Sequence, residues 1–100
     1  MVYNFEWDPA KAKENLRKHR LRFERAAQVF LDGQAVSIYD DEHSDEEDRW
    51  VTLGKDRHGA LLVVVHTFRE IDAGNFSIRL ISARKATKAE ARQYSAGRLT

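Results

Sequence analysis

The sequence predicts an α+β domain: a small antiparallel sheet of four to five strands packed with two N-terminal helices and one C-terminal helix, in the order β-α-α-β-β-β-β-α. Three observations carry this. Apolar residues recur at helical spacing only in the first third and at the end of the chain, and at a period of two between them. Helix starts are marked at Asp8-Pro9 and at Thr87 with Glu90. The connections Lys55-Asp-Arg-His-Gly59 and Arg69-Glu-Ile-Asp-Ala-Gly74 are short, polar and end in glycine, as in a meander of neighbouring strands.

Taken in order, Val2 to Trp7 alternates Val2, Asn4 and Glu6 against Tyr3, Phe5 and Trp7, which reads as a first strand with an aromatic face turned inward. Asp8 caps free amides and Pro9 is preorganised at a first helical position, so Pro9 to about His19 is expected to be helical. Lys11, Asn15, Lys18 and His19 fall near one another on it, opposite Ala12 and Leu16. A second helix, Phe23 to Leu31, carries the stripe Phe23, Ala26, Ala27 and Phe30 and stops at Asp32-Gly33. Ala35 to Tyr39 is a short strand, and Arg49 to Lys55 alternates Val51 and Leu53 against Trp50 and Thr52. Ala60 to Thr67 is apolar enough for a central strand. The run from Phe76 through Ile78, Leu80 and Ala83 is the last strand. A capping box at Thr87 and Glu90 opens the final helix, on which Tyr94 is expected to dock against the sheet.

The chain has 100 residues and no Pro/Gly/Ser-rich linker, which supports a single domain over residues 1–100 burying roughly two-thirds of its unfolded surface. No cysteine is present, which excludes disulfides and thiolate metal sites. No apolar run is long enough for a bilayer, and the first residues lack the pattern of a signal peptide, so a cytoplasmic, membrane-free protein is expected. The net charge of +1 averages two unlike regions. Residues 40–48 hold seven acids (Asp40, Asp41, Glu42, Asp45, Glu46, Glu47, Asp48) and no Lys or Arg, whereas the other 91 residues carry 17 Lys and Arg against 9 Asp and Glu. The body is therefore cationic and suited to polyanions, and the acidic run reads as a solvated loop.

The last strand also carries Arg79 and delivers Arg84 and Lys85 to its end, just before the capped helix. A guanidinium in an otherwise apolar strand needs an anion, either a phosphate or a carboxylate such as Glu6 or Glu47. Arg84 has less structural reason than Arg79 and points more to phosphate. His66, closing the apolar strand, reads either as a core histidine or as a proton donor. His43 among Asp40, Asp41, Glu42 and Asp45 lacks any recognised ligand spacing, so no metal and no cofactor is expected.

The segments Phe5-Glu-Trp-Asp-Pro-Ala-Lys-Ala-Lys-Glu-Asn-Leu-Arg-Lys-His19, Phe23-Glu-Arg-Ala-Ala-Gln-Val-Phe30, Asp41-Glu-His-Ser44 and Ile78-Arg-Leu-Ile-Ser-Ala-Arg-Lys-Ala-Thr87 together resemble the BrnT family of toxins. The resemblance covers nearly the whole chain. It implies a RelE-like fold and the toxin half of a bacterial type II toxin–antitoxin system, a ribonuclease that halts translation by cutting RNA. A BrnA-type antitoxin would neutralise it, and operator DNA would be met only through their complex. Arg20-Leu-Arg22 departs from the family, which commonly has Gly and a Ser-type cap there.

Metal-free RNA cleavage to 2′,3′-cyclic phosphate and 5′-hydroxyl ends needs a base, an acid and cations against the phosphorane charge. Arg79 and Arg84 are the first candidates for the cations, Glu47 for the base and His66 for the acid. Lys11, Lys18, Arg69 and Lys85 are candidates for holding the RNA strand, and Tyr3, Phe5, Trp7 and Trp50 for stacking on bases where they are not core. The competing readings are a non-catalytic nucleic-acid or partner-binding module using the same cations, and a metal-dependent nuclease using the acidic run. Turnover in the presence of chelator separates the three. The final helix offers a contact for an antitoxin.

Overall fold

The computed structural model describes residues 1–43 and 47–99, so Ser44, Asp45 and Glu46 of the acidic segment lie outside the described residues, as does Thr100. Strand β1 (Val2–Glu6) leads into α1 (Pro9–His19), then α2 (Phe23–Ala26), which continues as a 3-10 helix over Ala27–Leu31. Strand β2 (Val36–Tyr39), a 3-10 turn at Asp41–His43, β3 (Arg49–Lys55), β4 (Leu61–Thr67), β5 (Arg69–Asp72), β6 (Asn75–Lys85) and α3 (Lys88–Ala96) follow. The architecture is α+β, with the predicted three helices and one sheet.

The sheet has six strands in the order β1-β6-β4-β3-β2, with β5 also paired to β6. Two details differ from the sequence reading. The sheet is mixed, because β1 runs parallel to β6, from Val2 beside Asn75 to Glu6 beside Arg79. These strands are joined through the whole domain, so no hairpin imposes an antiparallel direction. The segment expected to be only a connection contains β5, paired with β6 through a turn at Gly74. All four β5 residues are exposed, so it lacks the apolar alternation that betrays a strand.

The helices divide between the two faces. Leu21, Phe23, Ala26 and Val29 pack with Leu62 and Val64 of β4 and Ile78, Leu80 and Ala83 of β6 into the main core, bordered by Tyr3, Trp7 and Phe30. The second helix is regular for only one turn before it tightens to 3-10, and Arg22 at its start makes no side-chain cap. On the other face Leu53 and Val63 are buried where α3 packs on β3. Thr87 and Glu90 form the predicted capping box of α3. The Tyr94 hydroxyl reaches Asp32 at 2.6 Å, which ties α3 to the sheet edge.

Two buried polar groups fix the frame. Asn15, read from the sequence as part of a polar helix face, is buried. Its Nδ2 donates to the carbonyls of Leu21 and Ala83, and its Oδ1 accepts from the Ala83 N–H, each at 2.9 Å. Strand β1 ends beside Arg79, so this amide continues the pairing of β6 where no strand is left to do so. Asp56 accepts from the N–H groups of His58 and Ala60, closing the β3–β4 turn, and from Arg25. Burial raises its pKa, but the Arg25 hydrogen bond and the backbone donors prevail and hold it below the ordinary carboxylate value.

Candidate functional site

Alternation along β6 decides which face each side chain takes. Ile78 and Leu80 face the main core, so Ser77 and Arg79 face the other side. Register then shifts: Val65 pairs with Ser82 but His66 with Leu80, which leaves Ile81 as an extra residue on β6. The next core-facing residue is accordingly Ala83, and Arg84 returns to the face of Arg79. A regular strand would have sent the two arginines to opposite sides. They stand about 16 Å apart along the strand by the rise of an extended chain.

Around Arg79 lies an open cavity of about 400 Å³, lined by Arg69, Thr67, Ser77 and Phe68 with the acids Glu6, Glu47 and Asp48. The backbone N–H of Arg79 donates to Thr67 Oγ1 at 3.1 Å, and its guanidinium donates to Glu47. Three of the predicted residues, Arg69, Arg79 and Glu47, are thus brought together. The carboxylate alternative weighed for Arg79 is present here, with Glu47 as the partner. Thr67 and Ser77 were not singled out from the sequence, since nothing marks a hydroxyl that only the fold brings to a cavity wall.

Arg84 makes a two-pronged pair with Glu90, both bonds at 2.8 Å. Glu90 also accepts from the Thr87 N–H at 2.8 Å. The Arg84 hydrogen bond, aided by that backbone donor, pulls the Glu90 carboxyl down to about 2, and the same bond raises the Arg84 guanidinium. Arg84 therefore has the structural task that the sequence reading did not find for it: it holds the residue that caps α3. Lys85, its neighbour in an extended strand, is exposed and points to the opposite face.

His66 departs from the expected proton donor. It faces the main core at 2% exposure, with the Phe30 ring edge-on at 4.7 Å. Its Nδ1 donates to the Thr67 carbonyl at 2.8 Å, so its Nε2 accepts from the Thr52 hydroxyl at 2.6 Å. Burial pushes its pKa down to about 4, so the ring is neutral at pH 7 and has no proton to give to the Arg79 cavity. Lys11 and Lys18 lie exposed on α1, across the sheet from that cavity, and Lys18 stands 3.6 Å from Glu14. His43 pairs with Asp40 at 3.0 Å.

At the junction of α1 and α2, Arg20 adopts the left-handed conformation, φ 56° and ψ 34°, and its N–H caps the Leu16 carbonyl. Glycine takes this conformation freely. The local departure from the resemblance is therefore a strained residue at a helix end, away from the arginine face.

A family model described as the ribonuclease toxin BrnT of a type II toxin–antitoxin system matches residues 7–90. Among solved structures, the chain is similar to the crystal structure of the Brucella abortus ribonuclease toxin BrnT, with a TM-score of 0.55 and 22% identity. The match covers 88% of this chain and 100% of that one, a likeness of fold. No curated protein matches the chain in sequence. No helix among the described residues is long and apolar enough to cross a membrane.

Proposed function

Because the chain belongs to the BrnT family of ribonuclease toxins of type II toxin–antitoxin systems, we propose that it is a metal-independent endoribonuclease acting from the Arg79 face of the sheet. The observation that carries this is the cavity in which Arg69 and Arg79, two hydroxyls and the Glu47 carboxylate converge. The scissile phosphate takes the place of Glu47 on the Arg79 guanidinium, a fork matched to two phosphate oxygens. The freed Glu47 accepts the 2′-hydroxyl proton. The 2′-oxygen attacks phosphorus, the bond to the 5′-oxygen breaks, and the products are a 2′,3′-cyclic phosphate and a 5′-hydroxyl, with solvent protonating the leaving oxygen. Arg79 and Arg69 stabilise the charge that develops on the phosphorane. Arg84, where a second phosphate displaces Glu90 from it, holds the strand further along, while Lys85, Lys11 and Lys18 lie on the opposite face of the sheet and add positive potential there.

In this reading the protein acts in the cytoplasm, halts translation by cutting RNA, and is neutralised by a BrnA-type antitoxin whose complex with it represses their operon. The chain, purified free of antitoxin, is incubated with end-labelled single-stranded RNA in excess chelator. Cyclic-phosphate ends that vanish with Arg79→Ala are the expected result. Intact RNA that is nonetheless bound, with steep salt dependence, would replace this proposal by a binding module using the same cations.

A further inference from the structure

A second cavity, of about 390 Å³, opens on the opposite face of the sheet and shares Phe68 with the Arg79 cavity. Its size is within the range of ligand sites. Its walls are aromatic: Tyr3, Phe30, Trp50 and Phe68. The Tyr3 ring stands edge-on to Phe30 and to Phe68, at 6.2 and 6.4 Å, so three of these walls brace one another. Phe68 remains 36% exposed although it is a phenylalanine at the end of a central strand.

The polar groups of this cavity form a chain with one direction. His66 Nδ1 donates to a carbonyl, so Nε2 accepts from Thr52. Thr52 has one proton and gives it to His66, so it accepts from the Ser37 hydroxyl, 2.7 Å away. Ser37 has then given its own proton and offers only lone pairs at the mouth. Asp32, an acid at this rim, already accepts from the N–H groups of Gln34 and Lys55 and from Tyr94. Its negative charge disfavours a phosphate. The cavity thus suits a flat, uncharged ring that stacks on aromatic faces and presents an N–H donor to Ser37, and its Phe68 wall lies between Thr67 and Arg69 of the Arg79 cavity.

We propose that this cavity is a nucleobase subsite, which takes an unpaired base of the RNA strand whose backbone is held at Arg69 and Arg79, with the donor edge of the base on Ser37. The inference rests on the RNA-cleaving reading above and adds to it where the strand turns and which group reads the base. Phe68 is the hinge about which the strand passes from one face to the other. Stacking of one base on such walls contributes about 1–3 kcal/mol, or about 5- to 150-fold in affinity.

The test uses 2′-O-methyl hexanucleotides, which cannot be cleaved, and an abasic hexamer that keeps every phosphate. Binding is read as quenching of Trp50 fluorescence in a Trp7→Phe background. The base-bearing hexamers are expected to quench Trp50 and to bind at least 5-fold more tightly than the abasic one. Phe68→Ala is expected to remove most of that difference, and Ser37→Ala to reduce it about 3- to 10-fold and flatten preferences among the four bases. Equal affinity for abasic and base-bearing hexamers, or quenching by an antitoxin but by no hexamer, would overturn the subsite. Loss of the ribonuclease reading appears separately, as unmodified RNA that stays intact while the hexamers still quench.

Discussion

Arg79 and Arg84 share a face, but their partners differ in what removal would do. The pair of Arg79 with Glu47 is about two-fifths exposed on both sides, and such a pair contributes at most about 1 kcal/mol to stability. Arg79→Ala is therefore expected to leave the melting temperature nearly unchanged while lowering kcat/KM by about 100-fold or more, the usual effect of deleting a group that meets transition-state charge. A folded Arg79→Ala protein that cleaves at the wild-type rate would remove the residue from the chemistry. Arg20 calls for the opposite kind of change. Its left-handed backbone is strained by about 1–2 kcal/mol for a residue with a Cβ. Arg20→Gly is expected to raise the unfolding free energy by about 1 kcal/mol, seen as a higher urea midpoint, and an unchanged or lower midpoint would show that the strain is relieved elsewhere.

Among the elements, β3, β4 and α3 were legible in the sequence because each carries its own signal: alternation in Arg49–Lys55, an apolar run in Leu61–Thr67, and a capping box at Thr87 and Glu90. Features that depend on a distant neighbour were not. The direction of β1 is set by β6, and the extra residue Ile81 is visible only once β4 lies alongside. The same limit applies to the site. Glu47 was foreseeable as a partner of Arg79 because an arginine in a strand needs one. The bond from Arg84 to Glu90 needed the turn between β6 and α3. Asn15 is the clearest case: its sequence position suggests solvent, yet it holds both backbone groups of Ala83. Asn15→Leu leaves those groups buried without partners and is expected to cost about 3 kcal/mol in chemical denaturation. Gly54 is equally constrained, since a Cβ there would stand 3.0 Å from that of Val29 and 3.1 Å from that of Ala35. Gly54→Ala should cost about 1–3 kcal/mol, and an unaffected midpoint would mean that the 3-10 segment shifts freely.

At the scale of the whole molecule, several buried or bonded groups make the fold sensitive to acid. His66 falls from the ordinary 6.5 to about 4 in the folded state, so between those values the unfolded chain binds a proton that the folded chain does not. Stability present at pH 7 is lost as the pH falls through this window, by a few kcal/mol at most. Glu90, lowered to about 2 by Arg84, extends the loss below its ordinary 4.5. Unfolding free energies at pH 7, 5.5 and 4.5 should decline steadily, and His66→Gln should flatten the part above pH 5; a wild-type protein as stable at pH 4.5 as at pH 7 would contradict the buried neutral ring. The arginine face has a consequence of another kind. Both guanidinium groups meet solvent already holding a carboxylate, so an arriving anion must compete for the seat. A chloride or a single phosphate gains little over the acid in place, whereas a polymer offering phosphates at both arginines gains twice in one encounter. If the face holds RNA as proposed, the internal acids act as a counterweight that sets a minimum length for what it retains, and the chain would pass through a medium full of small anions without being saturated by them.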